Sequence, residues 1–583
     1  MTDQPAFLLH TPSDGWLQLE RPTRVLVADS PSEVRTCLDD AEAAARGGAY
    51  VAGFVTYEAA AAFGLAVHPS VPGALPLAYF AVYPTAHARR PDWRPREGQS
   101  PNVGGWTPSV GRDEYLAALL RIKDLIADGD TYQLNYTFRL RASFDGDARP
   151  LFERLVIAQG GDWSAFVDLG DHVICSASPE LFFRRDGNRL ECMPMKGTAA
   201  RGLTAEDDRA RAKALASSAK NRSENVMIVD LIRNDLGRVA RVGSVQVASL
   251  FDLERYPAQW QMTSTVVAEA TGVSIADIFA ALFPSGSVTG APKVRSMEIA
   301  RELETSPRGI YTGTIGLIAP GGRAHFNVAI RTAVVDRALR TAEFGVGSGI
   351  VWESRGEDEF EECQMKAAIL TERAPVFDLL ETLRWDPATG YALEDRHMAR
   401  LAESADYFGF GDVTEGATRA LEAAVAGRLT PARVRLLVDG KGQPRTEVTD
   451  IAPRPEPLLV ALARAPVTTD NRFLYHKTTE RSIYDEVRRT TPEANTVLLW
   501  NHEGEITESL DANVVVELDG ELVTPPVSCG LLPGTMRADL LARGEIVEQR
   551  ITLADLGRAS RVWLINSVRG WMEVQLLPPA PAA

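Results

Sequence analysis

The sequence lacks the cysteine spacing of a disulfide framework or of a structural zinc site. Its five cysteines, Cys37, Cys175, Cys192, Cys363 and Cys529, are scattered, and no two of them form a Cys-x-x-Cys pair. This pattern is typical of proteins from a reducing compartment. We therefore expect a cytoplasmic protein without disulfide bonds.

Long apolar runs and long basic runs are also missing from the 583 residues. No uninterrupted apolar stretch is long enough to cross a bilayer, and the start, Met-Thr-Asp-Gln-Pro, precedes only a brief apolar run, so we expect neither a membrane span nor an export signal. The formal net charge is -16, and Lys and Arg are not clustered. This excludes an extended nucleic-acid or anionic-membrane surface, so small molecules are the expected partners.

The length of the chain predicts more than one domain, because a single hydrophobic core stops growing well below 583 residues. Residues 1–105 mix short strand-like runs with a Pro- and Arg-rich loop at 84–101 and are assigned to the N-terminal part of a first module. Residues 106–373 are predicted to be its catalytic domain. The break at Glu372–Pro375 begins a second domain over 374–575, and the Pro-rich residues 576–583 are predicted to be a disordered tail.

The period of the apolar residues predicts an α+β fold. Apolar residues recur at helical spacing from Tyr115 to Ile126, and Gly129 follows where a helix end favours a left-handed residue. Strands are predicted at 23–28, 50–57, 131–142, 165–168, 172–176, 181–184 and 379–385, and further helices near 205–219, 222–236, 290–304 and 396–408 and from about 357.

Three glutamates have positions that suit a hard divalent cation bound by oxygen ligands. Glu224 shares a helix face with Met227 and Ile228, while Glu359 and Glu362 are three residues apart and project together from one helix. On spacing alone, a solvated acidic helix is the commoner interpretation.

Two glycine-rich segments, residues 284–292 and 345–349, expose backbone that a ligand can approach closely. As isolated loops they are more often tight turns than anion-binding sites. Arg331 ends a strand-like apolar run, where a buried guanidinium needs a carboxylate from the protein or from a ligand.

Together these segments resemble the chorismate-utilising enzymes, which include the large subunits of anthranilate synthase and aminodeoxychorismate synthase and the isochorismate synthases. The resemblance covers about residues 113–370. It is carried, in order, by Gly129-Asp-Thr-Tyr-Gln133, Ser178-Pro-Glu180, Met227 to Asp235, Pro284 to Pro292, Tyr311 to Gly316, Ile330-Arg-Thr332 and Gly345 to Ile350. It implies an α+β fold of two large packed antiparallel sheets.

The same resemblance implies the ligands of this site. It places Mg²⁺ on Glu224 and Glu362 with Glu359 close by. It places the substrate carboxylates on side chains and backbone of Arg331, Tyr311, Thr289 and Gly347.

Lys196, in Pro-Met-Lys-Gly-Thr, selects among the reactions of that family. Anthranilate-forming and isochorismate-forming members resemble Pro-Ile-Ala-Gly-Thr here, whereas aminodeoxychorismate synthases place a lysine. A neutral amine, its pKa lowered by burial and a nearby cation, can attack C2 of chorismate and expel the C4 hydroxyl, after which ammonia enters at C4. Glu180, kept protonated by a poorly solvated site, is the expected general acid.

Two features limit the activities expected of the first module. Many relatives carry a histidine at the position of Gln261, and glutamine cannot shuttle a proton, so we expect no pyruvate release there. None of the cysteines stands in a Gly-x-Cys-x-Gly turn. Ammonia is therefore expected from a separate glutamine amidotransferase subunit or from solution.

Lys477 lies in a polar turn, Leu-Tyr-His-Lys-Thr-Thr-Glu-Arg, and alone it would be read as a solvated lysine. The order of parts around it, His397-x-x-Arg400, Glu505 to Asn513, Leu532 to Arg537 and Ile565 to Gly570, resembles the fold-type IV pyridoxal-phosphate enzymes over about residues 377–572. The resemblance implies Lys477 on the cofactor aldehyde and Glu508 against the pyridine nitrogen. It places Arg400, Thr535 and Ser567 around the phosphate.

The two resemblances together imply amination of chorismate followed by release of pyruvate, which yields 4-aminobenzoate for folate synthesis. Two alternatives stay open: an anthranilate-type first domain joined to an aminotransferase, and a second domain without activity. Free-standing relatives begin with a segment resembling Asp-Arg-Gly-x-x-x-Gly-Asp, which is absent before Phe377. We therefore expect the second domain to lack its first strands, which leaves a homodimer through this domain open.

Overall fold

The protein is described by a computed structural model that covers residues 5–71, 73–96, 101–371, 375–492 and 494–578. The chain forms two compact units, residues 1–200 with 212–374 and residues 201–211 with 375–583. Most of the break predicted at Glu372–Pro375 and residues 579–583 of the predicted tail lie outside the described residues.

The described part of the first unit contains twenty-one strands that pair antiparallel. Their bounds are β1 (Ala6–Thr11), β2 (Gly15–Leu19), β3 (Arg24–Ala28), β4 (Tyr50–Val55), β5 (Ala78–Tyr83), β6 (Ala88–Arg89), β7 (Asn102–Val103), β8 (Thr107–Pro108), β9 (Gln133–Asp145), β10 (Trp163–Asp168), β11 (His172–Ser178), β12 (Leu181–Asp186), β13 (Arg189–Met193), β14 (Met195–Ala200), β15 (Gln246–Arg255), β16 (Gln259–Glu269), β17 (Gly290–Ala291), β18 (Thr314–Ala319), β19 (Arg323–Asn327), β20 (Thr332–Asp336) and β21 (Thr341–Ile350).

Helices connect these strands. The α-helices before residue 372 are α1 (Pro31–Arg46), α2 (Arg112–Ala127), α3 (Arg149–Gln159), α4 (Ala205–Ser217), α5 (Ala219–Gly237), α6 (Ile275–Leu282), α7 (Lys293–Leu303) and α8 (Gly356–Ala367). Short 3₁₀ helices cover Tyr57–Phe63, Thr85–His87, Gly286–Val288 and Ala368–Leu370.

The strands form two sheets, as the resemblance implied. The first has the order β17-β9-β21-β20-β11-β10-β1-β2-β6, with β7 and β8 on β9, and the second has the order β14-β16-β13-β12-β19-β18-β4-β5-β3, with β15 on β16. One buried cluster contains Phe7 and Leu17 from the first sheet and Phe54 and Leu317 from the second, so the sheets pack face to face. Separate clusters join α1, α5 and α6 to the outer side of the second sheet and α2 and α3 to that of the first.

Local sequence signals set the ends of the helices that carry the site. Helix α2 ends at Ala127, and Gly129 has φ +81°, as predicted from its position. Helix α5 begins after Ser218, whose hydroxyl accepts a hydrogen bond from the backbone of Asn221. Helix α7 was predicted from residue 290 but begins at Lys293, because the two preceding residues pair as β17 and Pro292 is the N-cap.

The second unit contains a four-stranded and an eight-stranded sheet among its described residues. The strands are β22 (Leu379–Asp386), β23 (Gly390–Tyr391), β24 (Ala432–Val438), β25 (Pro444–Thr449), β26 (Leu458–Leu462), β27 (Thr496–Trp500), β28 (Ile506–Ser509), β29 (Asn513–Leu518), β30 (Glu521–Thr524), β31 (Val547–Glu548), β32 (Arg561–Asn566) and β33 (Gly570–Leu576). The helices are α9 (Glu394–Phe408), α10 (Thr414–Ala424), α11 (Ser482–Thr490), α12 (Thr535–Ala542) and α13 (Leu553–Arg558), with 3₁₀ turns at Arg472–Leu474 and Val527–Cys529.

The larger sheet of this unit closes on itself. Its order is β28-β27-β26-β33-β32-β29-β30-β31, and a further pairing of β28 with β29 joins Glu508 to Asn513. The smaller sheet, β23-β22-β24-β25, packs α9 and α10 on its apolar face. The mixed fold expected for both halves of the chain is confirmed.

All five cysteines are buried free thiols, as expected from their spacing. Among the described residues, no helix combines the length and the apolar character that a membrane span requires.

Candidate active sites

Strand β14 carries Lys196 into the interior of the first unit. Its side chain is only 18% exposed, and its Nζ lies 3.7 Å from a carboxylate oxygen of Glu224 on α5. A Cβ placed on Gly349 of β21 would lie 2.6 Å from that Nζ, so a side chain there would collide with the lysine. The lysine therefore lies against bare backbone.

Glu180, at the turn between β11 and β12, shares this site with Lys196. It is buried, and the hydroxyl of Ser287 donates a 2.6 Å hydrogen bond to its Oε1. Burial raises the pKa of Glu180 to about 7, against the opposing effects of the Ser287 hydrogen bond and the charge of Lys196. A carboxyl with this pKa is available as a proton donor near neutrality.

The predicted magnesium ligands converge on the same lysine. Besides Glu224, the carboxylates of Glu359 and Glu362 on α8 lie close enough to Lys196 for its charge to lower their pKa values. Burial, with the neighbouring charge of Glu362, raises the pKa of Glu359, whereas the Lys366 ammonium lowers the pKa of Glu362 although burial opposes it.

The donor chemistry of these three glutamates fits Mg²⁺, which takes carboxylate oxygens. A lysine lies beside two of them: the Lys196 Nζ lies 3.7 Å from Glu224, and the Lys366 Nζ lies 2.5 Å from Glu362. Within the described ranges, no group of three or more acidic, histidine or cysteine side chains is arranged as a metal centre. A magnesium site at this position stays a prediction.

The glycines at 345–349 lie in a strand, so the prediction of a loop was wrong here. Strand β21 pairs with β9 and β20, and its alternate glycines face one side of the sheet. A Cβ on Gly345 would lie 2.1 Å from the ring of Tyr311, and the Gly347 carbonyl accepts a 2.9 Å hydrogen bond from Lys366. The missing side chains leave room for the Tyr311 ring and the Lys196 amine. The glycines therefore serve close packing within a strand and not a turn.

Arg331 and Thr289 were predicted to bind substrate carboxylates. Burial lowers the pKa of Arg331 to about 10, and its side chain donates to the Lys366 carbonyl. In the part of the chain that the structure describes, no carboxylate lies within ion-pair distance of Arg331, so a ligand can supply one. Thr289 is buried, and its hydroxyl donates to the Ser285 carbonyl at 3.2 Å.

Gln261 supports the strand that carries Lys196. Its amide nitrogen donates to the Gly197 carbonyl at 3.0 Å, and its amide oxygen accepts from the Thr198 hydroxyl at 3.1 Å. Both ends of the amide are thus used to fix β14, a role that needs no proton transfer.

Sequence reasoning missed three residues that the structure adds to this site. Ser287 and Lys366 contact Glu180 and Glu362, and neither role could be inferred without the fold. The amide of Gln133 is fully buried next to Gly349, with both its nitrogen and its oxygen unpartnered among the described residues. Its position in the Gly129-to-Gln133 motif was the available signal.

The second unit has a cavity of about 570 Å³ lined by all five residues predicted for the cofactor. Lys477 is one of them, and its carbonyl accepts a 2.9 Å hydrogen bond from Leu380 of β22. Burial, with the positive charges of Arg400 and Arg481, lowers the pKa of Lys477 to about 8. A substantial fraction of this lysine is therefore a neutral amine near physiological pH.

Glu508 on β28 faces the same cavity. The hydroxyl of Tyr484 donates a 2.7 Å hydrogen bond to its Oε1, and Asn513 lies 3.5 Å from its Oε2. Burial raises the pKa of Glu508 to about 7. Opposite a ring nitrogen, this carboxyl can share a proton with it.

Another group of residues that line the cavity suits a phosphate. His397 on α9 lies 2.9 Å from the hydroxyl of Ser567 and 3.2 Å from that of Thr535, which is the first residue of α12. Arg400 makes hydrogen bonds of 2.8 and 2.6 Å to the buried Glu381. A helix N-terminus, two hydroxyls and a guanidinium together form an anion site, and these groups fit pyridoxal phosphate.

Comparisons with known proteins match both units. Residues 4–372 match the family described as chorismate binding enzyme, and residues 378–577 match amino-transferase class IV. Aminodeoxychorismate synthase component 1 of Salmonella typhimurium is 40% identical over 261 residues, which are 45% of this chain and 57% of that protein. Anthranilate synthase component 1 of Aquifex aeolicus is 37% identical over 274 residues, which are 47% of this chain and 55% of that protein.

The chain thus spans about half the length of the curated relatives it matches. The crystal structure of anthranilate synthase component I from Streptococcus pneumoniae matches with a TM-score of 0.54 at 24% identity. The matched region covers 63% of this chain and 92% of that chain. That likeness shows the fold of the first unit. Since relatives with two different activities match at similar identity, the choice of reaction rests on the residues of the site.

Proposed function

The chain belongs to the family of chorismate binding enzymes, and from that premise we propose that its first unit aminates chorismate at C4 and its second unit releases pyruvate from the product to give 4-aminobenzoate. The observation that carries the proposal is Lys196, held against Gly349 in one site with the buried carboxyl of Glu180. An alanine at position 196 would offer no nucleophile to the ring.

In the first reaction, the neutral amine of Lys196 attacks C2, both double bonds of the ring diene shift, and Glu180 donates a proton to the C4 hydroxyl, which leaves as water. Ammonia then attacks C4, both double bonds return to their original positions, and the bond between C2 and Lys196 breaks. The carboxylate of Glu180 takes the excess proton from the new amine. Lysine and glutamate end in their starting states.

The anionic groups of chorismate have matching partners in this site. Arg331 and Lys366 are cations that can meet a substrate carboxylate, and Tyr311 closes the side next to Gly345. Bound Mg²⁺, which Glu359, Glu362 and Glu224 would hold, supplies further positive charge against a substrate carboxylate.

In the second reaction, Lys477 would hold pyridoxal phosphate and then take the proton from C4 of the amine substrate. The bound cofactor supplies a ring that accepts electrons when that carbon loses its proton. Glu508, supported by Tyr484, would keep the ring nitrogen of the bound cofactor protonated, and Arg400 would contact its phosphate. The C3–O bond breaks, pyruvate leaves, and the ring becomes aromatic.

Ammonia for the first reaction would come from a separate glutamine amidotransferase or from ammonium in solution. The five cysteines of this chain are buried, which does not suit a glutaminase nucleophile. A glutamine-dependent rate is therefore expected only with a partner protein.

The test is to incubate the purified chain with chorismate, an ammonium salt, Mg²⁺ and pyridoxal phosphate, and to identify the products by chromatography and mass spectrometry. Formation of 4-aminobenzoate with one equivalent of pyruvate supports the proposal. Formation of 2-aminobenzoate rejects it, and accumulation of the non-aromatic amine rejects its second half.

A further inference from the structure

The lining of the cavity in the second unit is strongly basic although the chain carries a net charge of -16. Three acidic side chains line this cavity, Asp450, Glu508 and Asp511. Six arginines line it, namely Arg400, Arg433, Arg435, Arg454, Arg481 and Arg569. The residues proposed for the cofactor account for only one of these arginines.

The position of Arg433 follows from strand register. In β24, Val434 and Leu436 are buried against the helices, so Arg433 and Arg435 project from the opposite face of the sheet. Arg435 lies opposite Thr382 of β22, and Arg433 lies opposite Thr449 of β25. These four side chains all line the cavity, so this face of the small sheet forms one of its walls.

Three arginines at this wall, Arg433, Arg454 and Arg569, form a group that we call the arginine rim. Arg454 lies 2.5 Å from Asp511, and Arg569 donates to the Ala452 carbonyl at 2.9 Å. Over the described ranges, no carboxylate lies within ion-pair distance of Arg433 or Arg569.

The rim is an unbalanced group of charges. Burial lowers the pKa of Arg433, and the neighbouring charges of Arg435 and Arg454 add to the effect. Burial likewise lowers the pKa of Arg569, together with the charges of Arg454 and Arg433. An anion placed among them would relieve this repulsion and form paired hydrogen bonds with the guanidinium groups.

We propose that the arginine rim binds a carboxylate of the amine substrate on the side of the molecule remote from its nitrogen. The site then selects a cyclic amine that carries a ring carboxylate, and it disfavours amino acids whose only carboxylate lies next to the amine. The inference rests on the proposed function, because that function places the amine at C4 and a carboxylate across the ring at C1. The phosphate end, with Arg400 and Thr535, is a separate anion site of the cavity.

Binding of a simple probe tests the rim without turnover. We expect the protein loaded with pyridoxal phosphate, titrated calorimetrically, to bind 4-aminobenzoate at least about tenfold more tightly than the neutral 4-aminobenzamide, and we expect Arg433→Gln or Arg569→Gln to remove that preference. Arg445→Gln is the matched control, since Arg445 lies on β25 of the same sheet but pairs with Asp378 outside the cavity. It should keep the preference.

Kinetics and cofactor binding separate this inference from the function on which it rests. With prepared 4-amino-4-deoxychorismate, Arg433→Gln should raise KM about tenfold or more with little change in kcat, and should leave the affinity for pyridoxal phosphate unchanged. Equal binding of the acid and the amide by the wild-type protein, or an unchanged preference in both variants, overturns the rim. Failure of the wild-type protein to release pyruvate, with the carboxylate preference intact, overturns the proposed lyase reaction and keeps the rim.

Discussion

The two site lysines differ in the sign of the charges around them. Lys196 lies near Glu224, Glu359 and Glu362 as well as the buried Glu180. Lys477 lies near Arg400 and Arg481, in a cavity that six arginines line. An acidic surrounding suits a site that holds a metal cation and a proton donor, and a basic surrounding suits one that holds a phosphate and a second anion.

The largest effect on product formation is expected from replacing either lysine. Lys196→Ala should lower formation of the C4 amine by at least about 10³-fold, because no other side chain of the site replaces a covalent nucleophile. Lys477→Ala should form that amine and accumulate it. Both are measured by product chromatography from chorismate and ammonium.

Each lysine variant has an internal control in the other unit. Supplied with prepared 4-amino-4-deoxychorismate, Lys196→Ala should release 4-aminobenzoate at the wild-type rate. Normal turnover of chorismate to 4-aminobenzoate by either variant would remove the role assigned to that lysine.

Glu180→Gln should lower the amination rate by about 10²–10⁴-fold, the usual contribution of a general acid. In the wild-type protein the rate should fall as pH rises through about 7, because Glu180 acts in its protonated form and burial raises its pKa to about 7. Ser287→Ala should move this fall to higher pH, since the Ser287 hydrogen bond lowers that pKa.

The pH profile must be recorded at a constant concentration of free ammonia, so that the supply of nucleophile does not change with pH. Lys220→Gln is a control, because Lys220 is exposed and lies 4.0 Å from Glu224 rather than near Glu180. A profile for Ser287→Ala that falls at the wild-type pH would contradict the hydrogen-bond argument.

The next largest effect is expected from breaking a buried ion pair in the second unit. Glu381→Gln leaves Arg400 without its carboxylate, and we expect the free energy of unfolding of that unit to fall by about 3 kcal/mol. Although burial opposes it, Arg400 and His397 hold the pKa of Glu381 to about 2, below the usual 4.5. The stabilisation is therefore complete above about pH 4.5 and is lost as pH falls towards 2.

Denaturant unfolding at pH 7 and at pH 3.5 measures this difference. The exposed pair of Glu415 with Arg419 provides the control, because Glu415→Gln should change stability by about 0.5 kcal/mol or less. A Glu381→Gln protein as stable as the control variant would show that the buried pair contributes nothing.

Sequence patterns predicted the helices and strands of this protein better than the contacts between them. Periodic apolar residues located α2 and the left-handed Gly129, because those signals are local. The glycine-rich segment at 345–349 was misread as a loop, since the reason for its glycines lies in a distant part of the chain, the ring of Tyr311 and the Nζ of Lys196.

The residues proposed for the two sites follow from motif order, but the charged groups around them were not predicted. Lys366 binds the Gly347 carbonyl and the Glu362 carboxylate, a combination that only the packing of α8 against β21 creates. The basic wall of the cavity that Lys477 also lines likewise depends on which face of β24 is buried. Electrostatic surroundings are properties of packing, and a single sequence does not encode them locally.

The smallest expected effect is on the uptake of pyridoxal phosphate by the apo-protein. The neutral amine of Lys477 is the reactive form, so the rate of uptake should rise about tenfold per pH unit below pH 8 and level off above it, given a pKa of about 8. Arg481→Gln removes one of the charges that lower this pKa, and should therefore shift the profile to higher pH. Uptake followed by cofactor absorbance, with Arg489→Gln as an exposed control on α11, measures the shift. If Arg481→Gln takes up the cofactor with the wild-type profile, its charge does not tune Lys477, and the contrast between the two lysines would rest on burial alone.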